Sequence, residues 1–195
     1  PQRCVAMQLR HLSTINPASD GIMRVTSMVW SPDNKRLAVV TTDRVVQLFD
    51  EFGEKKDRFS TKPCSSNGPK TYTVKGLAFS PDATKIAVAQ SDNIVFIYKI
   101  GTEWGDKKSI CNKFQQQSPV TAVIWPSKHP HEIVFGLGEG KVKIGNTKTH
   151  RPATLYSTDS LVVSLAVSPD GTSILSGHAD GSIYRFHFGD GGGSP

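Results

Sequence analysis

Ser176, His178 and Asp180 supply a nucleophile, a base and a carboxylate at two-residue spacing, the three side-chain types of acyl-transfer chemistry. Such groups act only when they meet in space beside an oxyanion hole. Here they fall in an ordinary hairpin, with no paired acid and base and no pocket signature around them. Catalysis is therefore not expected. Gly136-Leu137-Gly138-Glu139-Gly140-Lys141 has the glycine content of a phosphate cradle. It lacks the glycine offset that a Walker loop places before Gly-Lys, and it aligns with three other hairpins. His129 and His131 flank Pro130, yet no further ligands stand at metal-binding spacing. Cys4, Cys64 and Cys111 are three in number, widely separated and without a Cys-x-x-Cys pair. That pattern fits neither a disulfide framework nor a thiolate zinc site. No cofactor, metal or small-molecule substrate is expected.

The elements that carry these residues repeat. Val25, Val74, Val120 and Val162 each open a segment of similar wording: VTSMVWSPDNKRLAVV, VKGLAFSPDATKIAVA, VTAVIWPSKHPHEIVFG and VVSLAVSPDGTSILSG. The spacing of the starts approaches the ~40–45-residue period of one propeller-blade class. Each copy reads as three short strands. Ser-Pro-Asp turns follow the first strand at Ser31–Asp33, Ser80–Asp82 and Ser168–Asp170, because Pro presets φ and Asp bonds its own backbone. Hairpins then follow at Thr42-Asp43-Arg44, Ser91-Asp92-Asn93, Gly138-Glu139-Gly140 and Ala179-Asp180-Gly181; the Asp-Gly pair is a strong hairpin signal.

The first strands are apolar on both faces. Their third residue is small (Ser27, Gly76, Ala122, Ser164) and their last is usually large (Trp30, Phe79, Trp125, with Val167 in the fourth). Strands sandwiched between neighbouring sheets and tapering toward an axis would want that gradient. A two-sheet sandwich is the structural rival, and the regular period argues against it. Trp30, Phe79 and Trp125 are expected to be buried anchors of the blades.

The segment SPDGTSILSGHADGSIYRF (Ser168–Phe186) resembles a WD40 repeat over its first three strands, and the other copies resemble degenerate versions. The family's Trp-Asp pair is replaced by Phe49-Asp50, Tyr98-Lys99, Gly145-Asn146 and Phe186-His187. The resemblance implies an all-β, WD40-type β-propeller, here about four blades of an expected seven-bladed ring. It also implies a structural role for Asp43, Asp92 and Asp180, which match the family's hairpin aspartate. The stretches between repeats go further. Asp43–Pro63, Asp92–Phe114, Phe135–Thr149 and Ile174–Phe186 resemble the N-terminal propeller of the intraflagellar transport protein 172 family, collinear from Met7 to about Asp190.

That resemblance implies a fragment of a longer, non-enzymatic interaction scaffold. Its setting would be the intraflagellar transport B complex, its partners other B-complex subunits, and its role cilium assembly and axonemal cargo transport. The place would be the cilium or flagellum and basal body, on the cytoplasmic side. The implied layout is an extension or tag at 1–6, an N-terminal strand segment at 7–24, and blades at 25–73, 74–119 and 120–161. A partial blade at 162–188 and a flexible Gly-rich end at 189–195 complete it. Leu9–Ile15 matches the strand that would complete the ring's last blade. An open arc of four blades is expected to aggregate or to need a partner.

Net charge is +6 with 23 basic and 17 acidic residues, interspersed so that no basic arm of the nucleic-acid type forms. Trp104, in a loop without a strand equivalent, reads either as an exposed partner anchor or as a contact closing a fourth strand. Lys55, Lys56 and Arg58, with Lys107 and Lys108, follow the third strands of neighbouring repeats. They are expected to form a modest basic rim. The rival function is binding of that rim to an anionic membrane surface or to nucleic acid; weak membrane contact is the form expected, and nucleic acid is not. Apolar runs such as Leu161-Val162-Val163 are far below the ~20 residues of a membrane span.

Overall fold

Fifteen antiparallel strands form four separate sheets in the computed structural model, which describes residues 9–15, 23–65 and 71–189. The expected extension at 1–6 and residues 190–195 of the Gly-rich end lie outside the described residues. The first sheet holds β1 (Val25–Trp30), β2 (Leu37–Thr41), β3 (Val45–Phe49) and β4 (Lys55–Ser60). The second holds β5 (Val74–Phe79), β6 (Lys85–Gln90), β7 (Ile94–Lys99) and β8 (Ser109–Gln115). The third holds β9 (Val120–Ile124), β10 (Glu132–Leu137), β11 (Lys141–Asn146) and β12 (Arg151–Ser157). The fourth holds β13 (Val162–Val167), β14 (Ser173–His178) and β15 (Ile183–His187). Each sheet is a meander in chain order, and among the described residues no strand pairs across repeats. The chain is an all-β partial propeller built from WD40-type blades.

Two readings from sequence need correction. The first three sheets have four strands, not three: β4, β8 and β12 were hidden because their outer positions are polar and exposed. Leu9–Ile15 forms no strand; Leu9, Leu12 and Ile15 lie exposed, and Ile15 reaches over the backbone of Gly53.

The strand registers show why the repeats have their small and large positions. Every first strand carries a bulge at the same place, at Val25/Ser27, Val74/Gly76, Val162/Ser164 and opposite Gly136/Leu137. A bulge adds local twist, which starts each sheet near the axis at one angle. Beyond it, the period of two sorts residues onto two faces. On one face, here the leading face, stand Ala38, Val40, Val46 and Leu48 of the first sheet and Ala87, Ala89, Val95 and Ile97 of the second. On the trailing face of the second stand the larger Leu77, Phe79, Ile86, Val88, Phe96 and Tyr98.

The core is the set of junctions where a small leading face meets a large trailing face. One cluster joins Ala38, Val40, Val46 and Leu48 to Leu77, Phe79, Ile86, Val88 and Phe96. The next joins Ala87, Ala89, Val95 and Ile97 to Val123, Trp125, Ile133 and Phe135. The third joins Val134 and Val142, with Ile144, to Val162 and Ile174, with Leu165 and Phe186. Small against large lets wedges interdigitate at native density. Gly136 illustrates the tolerance: a Cβ there would come within 2.7 Å of the Val162 Cβ.

Candidate functional site

The Ser-Pro-Asp turns are built alike in three blades. The Asp33, Asp82 and Asp170 carboxylates each accept a hydroxyl hydrogen bond from Ser31, Ser80 or Ser168 and the N–H two residues on, from Lys35, Thr84 or Thr172. The serine oxygens in turn accept the N–H of Arg36, Lys85 and Ser173, each at 2.9 Å. Burial alone would raise the Asp82 carboxyl, but the bonds from Ser80 and Thr84 outweigh it and hold it at about 2. The third blade has Pro126–His129 there instead. His129 stacks on Phe188 with centroids 3.7 Å apart and lies 3.2 Å from Glu132, so this ring serves packing. Among the described residues no group of three or more His, Cys, Asp or Glu is arranged to hold a metal.

The turn of the first blade faces a loop of the second. Arg36 is buried to 7% exposure. Its guanidinium donates to the Gly101 carbonyl at 2.8 Å and to the Thr102 carbonyl, and lies 4.8 Å from the Trp104 ring centroid. Farther along the loop, the Gly105 N–H donates to Asp57 Oδ2 at 3.1 Å, and Lys108 Nζ pairs with the same carboxylate. Asp57 lies on β4. Residues 101–108 therefore strap the second blade to the first at both ends. Beside the strap opens a cavity of about 520 Å³ lined by Asp33, Glu51, Asp82, Glu103, Lys35 and Trp104, among others.

This geometry changes the reading of the expected contact residues. Trp104, 38% exposed, contacts Arg36 of the neighbouring blade, so it braces the junction while leaving part of its ring in solvent. Lys55, Lys56 and Arg58 lie on β4 and not on a loop. Lys56 is 3.2 Å from Asp50 and 2.5 Å from Glu54, and Lys108 is held by Asp57. Two of the five residues of the expected basic rim, Lys56 and Lys108, are thus ion-paired, while Lys55, Arg58 and Lys107 are exposed beside them.

The first-strand ends converge as a set, for Trp30, Phe79, Trp125 and Val167 all line one cavity of about 250 Å³. Phe79 and Trp125 are 4% and 8% exposed, but Trp30 is 48% exposed, against the expectation of a buried anchor. The reason is its neighbour. Phe79 and Trp125 stand on trailing faces that meet a preceding blade, whereas Trp30 stands on the trailing face of the first sheet, which meets none among the described residues.

The hairpin aspartates organise local backbone. Asp43 accepts from the Thr41 hydroxyl and from the Val45 N–H at 3.1 Å. Asp92 accepts from the Cys64 N–H at 2.7 Å, tying an inter-blade segment to its hairpin. Asp180 accepts from the Ser182 N–H at 2.9 Å and its own N–H donates to Ser160 Oγ at 3.0 Å. Its carboxylate serves Ser182, not His178. The His178 Nδ1 lies 2.9 Å from the Ser160 carbonyl, so Nδ1–H donates and Nε2 accepts from Ser176 Oγ at 3.0 Å. Ser176 is fully buried. The three residues that could do chemistry on paper are two separate structural contacts.

Arg36 and Asp57 were missed from sequence. The positions matching Arg36 in the other blades are Lys85, Glu132 and Ser173. A position that is cationic in two copies, acidic in one and a hydroxyl in the last gives no periodic signal. Asp57 sits in a run of mixed charge that reads as solvated surface.

The WD domain, G-beta repeat family model matches residues 10–50, 62–99 and 150–186, more than half of the chain. The third blade, lacking Ser-Pro-Asp, falls largely outside the matched segments. Intraflagellar transport protein 172 homologs are similar over nearly the whole length: 57% identity in Rattus norvegicus over 95% of this chain, and 56% in Homo sapiens over 95%. Intraflagellar transport protein 172 of Chlamydomonas reinhardtii is 50% identical over 97% of the chain. The chain spans only 11% of the length of each of these relatives and matches their N-terminal region. With four WD-type blades in the structure and this match in sequence, the chain belongs to the WD domain, G-beta repeat family and matches the N-terminal region of the intraflagellar transport protein 172 homologs.

Proposed function

We propose that the chain is a non-enzymatic protein-interaction scaffold, the part of an intraflagellar transport B-complex subunit that docks neighbouring subunits during cilium assembly and axonemal cargo transport. Its place in the cell is the cilium or flagellum and basal body, on the cytoplasmic side. The observation that carries this reading is the near-complete sequence match to intraflagellar transport proteins. The architecture supports it. Stacked blades give a rigid body whose loops are free to vary, and rigid scaffolds with variable loops commonly carry binding. The strapped surface around Trp104, with its open cavity and mixed charge, is the contact region we favour. A basic rim binding membrane or nucleic acid is not favoured, because Lys56 and Lys108 are already paired.

Proximity labelling from the full-length parent protein in ciliated cells tests the reading. Other intraflagellar transport subunits should dominate the labelled set; a set without them overturns it. Capture that disappears steeply between low and moderate salt, with no specific protein retained, would favour the membrane or nucleic-acid reading instead.

A further inference from the structure

The cavity of about 520 Å³ beside the strap lies on the junction of the first and second blades. Two of its walls are the Ser31–Asp33 and Ser80–Asp82 turns, each fixed by a serine hydroxyl bonded to its aspartate. The third is the strap, with Trp104 in the wall. Four carboxylates, Asp33, Glu51, Asp82 and Glu103, line the cavity against two cations, Lys35 and Arg36. Arg36 is already committed to the Gly101 and Thr102 carbonyls. Among the described residues the exposed Glu51 and Glu103 carboxylates have no ion pair, and Asp33 spends only Oδ1 on its turn. The cavity is therefore an acidic spot on a chain of net charge +6. It also displays its own preference in ligand. Arg36 lays a guanidinium over the Trp104 ring with carbonyl oxygens at its edge, and the same wall keeps part of that ring open to solvent.

From this we infer that the cavity docks an arginine carried on an extended basic segment of a partner protein. The inference rests on the strapped surface being the contact region and names what that region takes. Charge complementarity selects a cation, and the aromatic wall selects among cations. A guanidinium is planar and weakly hydrated, pairs with carboxylates through a fork of N–H donors and stacks on indole, whereas an ammonium is a strongly hydrated point charge. The volume falls in the lower part of the range for small-ligand sites, enough for a long side chain with flanking backbone and too little for a folded element. Asp33 and Asp82 are held by their turns before the partner arrives, so less ordering opposes binding. Burial alone would raise the Asp33 carboxyl, but the Ser31 hydroxyl and the Lys35 N–H outweigh it and lower it, which keeps the wall charged.

Fluorescence anisotropy of labelled peptides of alternating arginine and serine, titrated with the full-length parent protein, tests the inference. The arginine peptide should bind, its lysine counterpart more weakly, and its citrulline counterpart, which keeps the shape without the charge, not at all. Glu51→Gln combined with Glu103→Gln should weaken arginine binding roughly 5–10-fold, the worth of two exposed ion pairs. Both side chains are exposed, so the fold tolerates the change. Glu139→Gln combined with Asp159→Asn makes the same change of charge on exposed positions of the third blade and should leave binding unchanged. Absent binding, equal binding of the citrulline peptide, or an equal loss in the third-blade variant would each overturn the inference, the last by showing attraction to charge in general. Proximity labelling that still finds transport subunits while the arginine peptide fails to bind overturns this inference alone. A labelled set without such subunits, with the peptide results as expected, would instead overturn the underlying reading.

Discussion

Trp30 and Trp125 occupy the same place in two blades, and replacing each with alanine separates the contribution of the side chain from that of its neighbours. A buried aromatic of this class removes about 150–250 Å² from water. At about 25 cal/mol per Å² this is worth up to about 5–6 kcal/mol for a tryptophan, an upper bound because unfolded chains are partly compact. Trp125, 8% exposed, keeps nearly all of that, while Trp30, 48% exposed, keeps about half. Allowing for the methyl that alanine still buries, Trp125→Ala should cost about 3–4 kcal/mol and Trp30→Ala about 1–2 kcal/mol. Trp125→Phe should cost far less than either comparison of size implies, because the indole N–H is buried without a partner among the described residues and removing an orphan donor relieves a penalty of about 1–3 kcal/mol. Urea titration followed by far-UV circular dichroism, at concentrations where the chain is monomeric, reads all three. Equal losses for Trp30→Ala and Trp125→Ala would refute the reasoning, since they would require a covered trailing face on the first blade.

Three further perturbations probe the strap and the core. Arg36→Lys should lose about 1.5–3 kcal/mol, because a lysine cannot bond two carbonyls in a fork and stack on an indole at once; urea midpoints and a red shift of Trp104 emission report it. Burial alone would raise the Asp57 carboxyl, but Lys108 and the N–H groups of Arg58 and Gly105 outweigh it and lower it. A depressed carboxylate stabilises above its unfolded value of about 3.9 and that stability is lost as pH falls through the folded value. Melting temperatures between pH 6 and 2.5 should therefore fall less steeply for Asp57→Asn than for the parent chain. Tyr98 is pushed up to about 12 by burial, opposed by the Lys62 N–H that bonds its oxygen. A raised phenol stabilises fully below about 10 and the benefit is lost as pH rises from there toward 12; Tyr98→Phe should flatten that alkaline loss, and one late phenolate should vanish from the absorbance titration near 295 nm.

The repeat was legible in sequence because its period-2 pattern, its Ser-Pro-Asp turns and its hairpins all encode local backbone, and local rules suffice for those. β4, β8 and β12 were not legible for the same reason. A strand on the outer edge of a blade needs backbone pairing more than an apolar face, so Lys55–Ser60 reads as a charged loop until β3 is seen beside it. The site shows a similar divide. Asp43 and Asp180 could be found because their carboxylates act within two residues of themselves, whereas Asp92 was found by its place in the hairpin pattern although its partner is Cys64, 28 residues away. Arg36 bonds carbonyls 65 and 66 residues away, and nothing near it in the chain announces that.

Trp30 shows where reading by equivalence fails physically. Four copies of one pattern imply four equal environments only if every blade has two neighbours, as in a closed ring. Among the described residues, the first trailing face and the last leading face carry the same residue types with no other blade against them. The sequence pattern reports the environment a residue is built for, and exposure reports the one it has. The difference between the two, large at Ile183, Met28, Val25 and Trp30, marks residues whose type belongs to a blade junction that the described residues do not complete. Residues that match the interior junctions in size yet stand open to solvent are surfaces shaped for another blade.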